Sequence, residues 1–193
     1  MKKRLFIFDM GGVMCTNTNV LDSICKELGL NKRQFLDFAK YENFVKIQSG
    51  KMDMNDFWQA FSETSGIYVK EDYFETLFEP KRRDCMYELI TRLKRDSRVV
   101  VGTNTIESHY KKHMKNGDYD VFEKVYPSHL LNVAKPDQNF YNIILDYESV
   151  KPEETIFIDD NTKNVESASN MGIKAILYKS YGDLKETLDS IFQ

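Results

Sequence analysis

One short stretch near the start of the chain, residues 5–14 with the sequence LFIFDMGGVM, limits the possible folds more than any other. Four apolar residues lead directly into Asp9, and two glycines follow Met10. A continuous apolar run with aromatic and branched side chains is typical of a strand buried on both faces, as in a parallel sheet covered by helices. Asp9 then lies at the carboxyl end of that strand, where open α/β sheets bind their ligands. The simpler alternative is that Asp9 only caps the next element.

The segment after this strand, up to about residue 83, has a helical pattern. Its amphipathic stretches predict helices at residues 20–28, 32–44, 54–61 and 71–78. Asp53 is a candidate N-cap for the third of these helices, and Phe57, Trp58 and Phe61 share one face of it. These aromatic residues are predicted to form the core of a small helical bundle.

From residue 84 onward, helical and strand patterns alternate. Apolar runs predict strands at 99–101, 155–158 and 174–178, and the intervening stretches predict helices. Such alternation is typical of a parallel sheet with helices on both faces. We therefore predict an α/β protein with a Rossmann-like core formed by residues 1–15 and 84–193. Residues 16–83 are predicted to be an all-helical domain inserted after the first strand.

Composition excludes several functional classes. The net charge of −3 gives no electrostatic reason to expect binding to nucleic acid or to a membrane surface. The apolar run before Asp9 is too short for a signal peptide, and no later stretch is long enough for a membrane span. Three cysteines without a C-x-x-C spacing favour reduced thiols in the cytoplasm over a disulfide framework.

Polar residues follow the predicted strands at the edge where parallel strands end together. They are Asp9, Thr103, Asn104, Asp159 and Asp160, and Lys135 lies in a loop before a helix. Three carboxylates repel one another unless a hard cation lies between them, and oxygen ligands favour Mg²⁺. Together with the lysine, Mg²⁺ would balance the three acids and leave room for a phosphate dianion. Taken singly, each group also has an ordinary structural explanation, such as a helix cap.

Four segments resemble the four motifs of the haloacid dehalogenase (HAD) superfamily of phosphotransferases, in the same order along the chain. They are FIFDMGGV, VVVGTN, AKPD and IFIDDNTKN. The helical stretch between the first two resembles the C1 cap of that superfamily. Within it, SGKMDMNDFWQAF is similar to a branch with small caps, which includes glucose-1-phosphate phosphatase-like proteins and the N-terminal phosphatase domain of epoxide hydrolases.

The resemblance implies a role for each matching residue. Asp9 would be the nucleophile that attacks phosphorus, and Lys135 would neutralise the phosphoryl group and hold Asp9 in place. Thr103 would bind the phosphoryl oxygens, with Asn104 beside it. The implied Mg²⁺ ligands are Asp9, the backbone carbonyl of Gly11, Asp160, and Asp159 as a direct or an indirect support.

The sequence departs from the superfamily pattern at Gly11. Phosphatases of the superfamily usually have an aspartate there, which protonates the leaving oxygen and later activates water. An acid–base group of this kind is worth about 10²–10⁴-fold in rate. We therefore expect good leaving groups, such as sugar 1-phosphates or acyl phosphates, to be favoured.

The function predicted from these features is a Mg²⁺-dependent phosphatase that hydrolyses a small phosphorylated metabolite, with a sugar phosphate favoured, through an aspartyl-phosphate on Asp9. Two alternatives stay open, a phosphomutase and a phosphate-ligand-binding or regulatory protein of low turnover, for which Gly11 is the main argument. A monomer or a homodimer is expected.

Two groups of residues outside the motifs lead to further expectations. His109 and His113 are four residues apart on a predicted helix and have lysines around them, which predicts a solvated face rather than a zinc site. In the helical segment, possible substrate contacts are Tyr41, Lys46, Gln48 and Trp58. Packing explains the aromatic members of this set equally well.

Overall fold

The apolar run that begins at Leu5 forms the middle strand of a five-stranded parallel sheet in the computed structural model, which describes residues 4–192. The strands lie in the order β5 (Val125–Pro127), β4 (Arg98–Thr103), β1 (Leu5–Phe8), β6 (Thr155–Asp159) and β7 (Lys174–Leu177). All four side chains of β1 are fully buried, as a strand with helices on both sides requires. The predicted α/β fold with a Rossmann-like parallel sheet is confirmed.

Helices pack on both faces of this sheet. They are α6 (Asp84–Leu93), α7 (Glu107–Asn116), α8 (Ser128–Leu131), α9 (Gln138–Glu148), α10 (Thr162–Ser169) and α11 (Tyr181–Phe192), numbered after five helices described below. Phe6 and Phe8 of β1 pack in one apolar cluster with residues of α6 and α11. Leu5 and Ile7 pack on the opposite face with residues of α9 and α10. Successive side chains of a strand point to opposite faces, so the single run LFIF supplies both layers.

Between two short antiparallel strands, β2 (Cys15–Thr16) and β3 (Lys81–Arg82), the chain forms a helical insertion, residues 17–80. Its helices are α1 (Leu21–Glu27), α2 (Lys32–Ala39), α3 (Tyr41–Gln48), α4 (Met54–Ser65) and α5 (Tyr73–Thr76). Their buried side chains form a separate, largely aromatic cluster, in which Phe57 and Phe61 are fully buried and Trp58 nearly so. The insertion therefore has an apolar core of its own. The predicted domain boundaries stay a prediction, and residues 1–3 and 193 lie outside the described part.

The predicted helix over residues 32–44 is two helices in the structure. Lys40 has a positive φ of 60°, which ends α2 and begins α3. A positive φ is incompatible with a right-handed helix, so the helix ends here. A non-glycine residue rarely adopts this conformation. Phe35 and Phe44 still pack against each other across the break, with ring centroids 6.2 Å apart. The periodicity missed the break because both halves are amphipathic.

Two smaller expectations concern the helices themselves. The Asp53 carboxylate accepts a hydrogen bond from the backbone N–H of Asp56 at 2.8 Å, so the predicted cap of α4 is present. None of the helices between residues 4 and 192 has both the length and the apolar character that a membrane crossing requires.

Candidate active site

Three distant parts of the chain meet at a single side chain, Lys135, in the loop between α8 and α9. Its Nζ donates hydrogen bonds to Oδ1 of Asp9 and to Oδ2 of Asp159, both at 2.7 Å. A third bond, of 2.9 Å, goes to the backbone carbonyl of Gly102 in β4. The lysine thus joins the carboxyl ends of the three central strands, as parallel strand ends predict.

The ammonium of Lys135 is almost completely enclosed, with 1% of its side chain exposed. Burial lowers the pKa of this lysine, but the nearby Asp9 and Asp159 carboxylates outweigh that effect and raise the pKa above its ordinary value. A buried ammonium is costly unless its partners saturate it. Here three acceptors do so, and Lys135 stays charged.

The candidate nucleophile Asp9 lies in an environment that opposes its ionisation. Burial raises the pKa of its carboxyl to about 6, and Asp159 adds repulsion, while Lys135 offsets only part of both effects. A further cation would therefore favour the charged form. The backbone of Asp9 is fixed by a 2.8 Å hydrogen bond from its N–H to the carbonyl of Ile158 in β6.

The acidic side chains of the site fit a divalent cation. Asp9, Asp159 and Asp160 each offer a carboxylate oxygen within 4.8 Å of the others. With Lys135 as the neighbouring cation, two negative charges remain. A hard dication with oxygen ligands, such as Mg²⁺, matches both the charge and the donor set.

Asp159 and Asp160 differ in their surroundings. Oδ1 of Asp159 accepts hydrogen bonds from the Asn161 N–H at 2.8 Å and from Asn164 Nδ2 at 3.1 Å. Its Oδ2 accepts from Lys135 and, at 3.0 Å, from Asn164. Both oxygens are therefore already engaged, which suits a support for Lys135. Sequence reasoning did not single out Asn164, although it lies within the fourth motif.

Asp160 is exposed and lies against the loop that follows Asp9. A Cβ added to Gly12 would lie 1.9 Å from Oδ2 of Asp160, and Gly12 has a positive φ of 76°. Any other residue would be strained at this φ and would have to displace the Asp160 carboxylate. The close approach brings the loop backbone and the Asp160 carboxylate together, which is the arrangement that a ligand set of carboxylates and a backbone carbonyl requires.

Thr103 and Asn104 end and follow β4, and the structure places them differently. Thr103 is buried at the strand end. Both ends of the Asn104 amide bond the backbone of Lys135, with Nδ2 donating to its carbonyl and Oδ1 accepting from its N–H, each at 2.8 Å. Asn104 therefore holds the lysine loop. Its predicted contact with a phosphate stays a prediction.

Gly11 leaves space beside Asp9. A Cβ added there would lie 3.7 Å from Cγ2 and 3.8 Å from Oγ1 of Thr18, which is ordinary contact. The backbone of Gly11 lies outside the left-handed region, so other residues are tolerated. Thr18, at the start of the helical insertion, is the side chain nearest to this space.

The helical insertion is attached to the α/β part by polar contacts that sequence reasoning missed. The carboxylate of Asp72 accepts hydrogen bonds from Oγ of Ser108 in α7 and, at 2.9 Å, from Nε1 of Trp58. Oγ of Ser128 donates to the carbonyl of Gln48 at 2.6 Å. The Trp58 indole is therefore bonded to Asp72, and the backbone of Gln48 attaches the insertion. Their predicted contacts with a substrate stay predictions. No local pattern marks such pairs, because their partners are distant in sequence.

The expectation of a solvated face at His109 and His113 is wrong. His113 is buried, and its Nδ1 lies 2.8 Å from Oδ2 of Asp118. The His109 ring stacks on Phe78, with centroids 3.8 Å apart. Burial lowers the pKa of His109 to about 3, and the neighbouring His113 contributes. The insertion covers this face of α7, which the pattern of α7 alone does not reveal.

Comparison with known proteins gives a consistent result. The sequence pattern that defines the haloacid dehalogenase-like hydrolases matches residues 6–178. A HAD family enzyme from Bacteroides thetaiotaomicron superposes with a TM-score of 0.84 at 22% identity, covering 97% of this chain and 99% of that one. The same enzyme in complex with magnesium and inorganic phosphate gives a TM-score of 0.80 at 21% identity, with 95% and 99% covered.

Curated relatives match over different lengths. A sesquiterpene phosphatase from Aspergillus oryzae is 28% identical over 177 residues, which cover 86% of this chain and 85% of that protein. A drimenol cyclase from Aspergillus calidoustus is 33% identical over 78 residues, 40% of this chain. The chain matches only 15% of the length of that cyclase.

Proposed function

Because the chain belongs to the haloacid dehalogenase-like hydrolase family, we propose that it is a Mg²⁺-dependent phosphatase of small phosphorylated metabolites. The observation that carries this proposal is the buried Lys135, which bridges Asp9 and Asp159 at the ends of two neighbouring strands. A carboxylate held in this way is a fixed nucleophile beside a fixed positive charge. That pair is what phosphoryl transfer through a covalent intermediate needs.

In the first half of the reaction, a carboxylate oxygen of Asp9 attacks phosphorus, and the bond from phosphorus to the leaving oxygen breaks. Residue 11 carries no acid, so the leaving oxygen departs without a proton from that position. The Lys135 ammonium and the Thr103 hydroxyl stabilise the charge on the phosphoryl oxygens. This stabilisation is strongest in the enclosed site, where the effective dielectric constant is low.

In the second half, water attacks the phosphorus of the aspartyl-phosphate, and inorganic phosphate leaves with the Asp9 carboxylate restored. Asp9, Asp160 and the carbonyl of Gly11 would hold Mg²⁺, which supplies positive charge for the phosphoryl group. Asp159 would support them through Lys135. Two displacements through a covalent intermediate replace one more difficult step.

The test is phosphate release with and without Mg²⁺ from sugar 1-phosphates, sugar 6-phosphates, nucleotides and acetyl phosphate. Asp9→Asn removes the nucleophile and keeps its shape, so we expect release to fall by about 10³-fold or more. Mg²⁺-dependent release that is lost in Asp9→Asn supports the phosphatase. Tight Mg²⁺-dependent binding without release from any substrate would instead favour the ligand-binding protein.

The leaving-group preference has its own test, Gly11→Asp. The space beside Gly11 accepts a side chain, so the variant is expected to fold and to supply the missing acid. Release from alkyl phosphates, whose leaving groups are poor, should rise by up to about 10²-fold, and release from acetyl phosphate should change little. An equal loss on every substrate would contradict the preference.

The finer assignments stay predictions. The sequence resemblance favours sugar phosphates as substrates. The relative from Aspergillus oryzae, a sesquiterpene phosphatase, instead supports a substrate that carries no sugar. A phosphomutase would transfer the phosphoryl group to a second hydroxyl instead of to water, and product analysis by phosphorus NMR separates the two. The three cysteines, all free, favour the cytoplasm.

A further inference from the structure

A cavity of about 340 Å³ lies where the helical insertion begins, beside the loop that follows Asp9. Its volume is within the range of small-molecule sites. The apolar side chains that line it come from four parts of the insertion and are Val20, Leu21, Leu36, Tyr41, Phe44 and Phe74. His109 of α7 lines the remaining side. We name this space the hinge cavity.

The hinge cavity adjoins the loop of the candidate active site at Thr18. The Thr18 side chain lines the cavity and also lies 3.7 Å from the Cβ position of Gly11. The Cα atoms of Gly11 and Asp9, two residues apart, are separated by at most about 7 Å. A substrate whose phosphate contacts Asp9 can therefore reach the cavity with the group attached to its leaving oxygen.

The walls of the cavity present almost only carbon atoms, and their polar side chains are Thr18, Asn19 and His109. Among the residues that the structure describes, no lysine, arginine, aspartate or glutamate lines them. His109 is neutral at pH 7, because burial lowers its pKa to about 3. These walls offer few hydrogen-bond partners to the hydroxyl groups of a sugar, which is unfavourable wherever those groups lose contact with water. An apolar chain would gain free energy in the same place.

The rim of the cavity also exposes apolar surface. The exposed fractions of Leu36 and Tyr41 are 45% and 80%. Exposed apolar side chains that adjoin a cleft are typical of a ligand-binding surface.

A second cavity, of about 380 Å³, is lined by Asp53, Glu107 and Lys111 among others, and no residue of the loop 9–18 contributes to it.

From this placement we propose that the hinge cavity binds an apolar chain attached to the leaving oxygen of the substrate. The preferred substrates are then phosphates whose leaving group carries an apolar chain, such as long-chain acyl phosphates, not sugar phosphates. This inference rests on the proposed phosphatase function, since it takes Asp9 as the point where the phosphate binds.

Binding is tested with alkylphosphonates, which are not hydrolysed, from methyl- to decylphosphonate in the presence of Mg²⁺. Isothermal titration calorimetry gives the Kd of each. We expect the affinity to rise by about two- to fourfold for each methylene group that enters the cavity, as burial of a methylene predicts. Affinity that does not depend on chain length overturns the inference.

Variants locate the binding of the chain. Leu36→Glu and Tyr41→Glu place a carboxylate at the cavity without removing a fully buried side chain. Their matched controls are Val45→Glu and Tyr68→Glu, at positions of similar exposure, 47% and 86%, that do not line the cavity. Decylphosphonate should bind about tenfold or more weakly to the first pair only, and methylphosphonate equally to all. Equal effects in both pairs overturn the inference.

A kinetic measurement separates this inference from the proposed function. Phosphate release is compared for acetyl, butyryl and octanoyl phosphate, whose carboxylate leaving groups have nearly equal basicity and differ in chain length. An increase of kcat/KM with chain length that is lost in Leu36→Glu supports the inference. Release that is Mg²⁺-dependent and equal for all three supports the phosphatase and overturns the apolar site. Failure to release phosphate from any of them, with chain-length-dependent phosphonate binding, overturns the phosphatase and retains the site.

Discussion

The candidate active site of the α/β part and the core of the helical insertion are each stabilised by a different kind of interaction. In the α/β part, the carboxylates of Asp9 and Asp159 converge on the buried ammonium of Lys135. In the helical insertion, rings pack against rings, as Phe57 and Phe61 do around Trp58. Ionic hydrogen bonds are directional and fix atoms in place. Aromatic rings can pack against one another in more than one geometry.

This difference assigns different tasks to the two parts. The α/β part fixes the groups that perform the proposed phosphoryl transfer. The insertion supplies the apolar walls beside them and is attached through a few points, such as Asp72 with Ser108 and the Gln48 carbonyl with Ser128. The chemistry and the choice of substrate are therefore open to separate experimental tests. The single tryptophan, Trp58, lies in the insertion and reports on that part by fluorescence.

The largest effect is expected from Lys135→Met, which keeps the side-chain length and removes the charge. Two carboxylates would then face each other in a buried site, and the free energy of unfolding should fall by about 3–5 kcal/mol. Urea unfolding followed by circular dichroism measures this loss. Lys111→Met, at a lysine with 59% of its side chain exposed, is the control. A loss as small as that of the control would show that the ionic network does not stabilise the fold.

The attachment of the insertion is tested by Gly50→Ala. A Cβ at Gly50 would lie 1.9 Å from the carbonyl oxygen of His129, a backbone atom that does not swing aside. Gly29→Ala is matched in backbone conformation, with φ of 66° against 65°, and has no atom within 4 Å of the added Cβ. We expect Gly50→Ala to lose about 3 kcal/mol more than Gly29→Ala in urea unfolding, since forced overlap costs up to about that much. Equal losses would mean that this contact is easily relaxed.

A smaller effect, about 2 kcal/mol, is expected from the protonation of His109 at the boundary of the two parts. Its pKa is about 3 in the folded chain and about 6.5 when unfolded. Below pH 6.5 the unfolded chain therefore binds a proton that the folded chain does not. The stability gained from the neutral imidazole is complete above that pH and falls by about 2 kcal/mol at pH 5.

His109→Phe removes this titration and keeps a ring against Phe78. The loss of unfolding free energy between pH 7 and pH 5, followed through Trp58 fluorescence, should be about 2 kcal/mol smaller in the variant than in the parent chain. Other groups titrate in both proteins, so the difference between the two losses is the relevant quantity. An identical pH dependence would contradict the burial of an uncharged His109.

Much of the α/β part follows from local sequence. The run LFIF before Asp9, and TIFID with Asp160 after it, are short apolar stretches that end in acids. Both properties, burial on two faces and a polar end, are visible in the residues themselves. Because parallel strands end at one edge, their convergence could be predicted without coordinates.

The tertiary structure alone decided which groups contact one another. It directed Asn104 to the backbone of Lys135, Asn164 to Asp159, and the insertion onto His109. These contacts depend on how elements that are distant in sequence pack together, and no local period encodes that arrangement. The sequence by itself determined four of the five strands of the parallel sheet, the helical insertion and the acids at the strand ends. Long-range packing determined which side chains became buried, which had all their hydrogen bonds satisfied and which stayed open to a ligand. Burial depends on the neighbours in space and not on the neighbours in sequence.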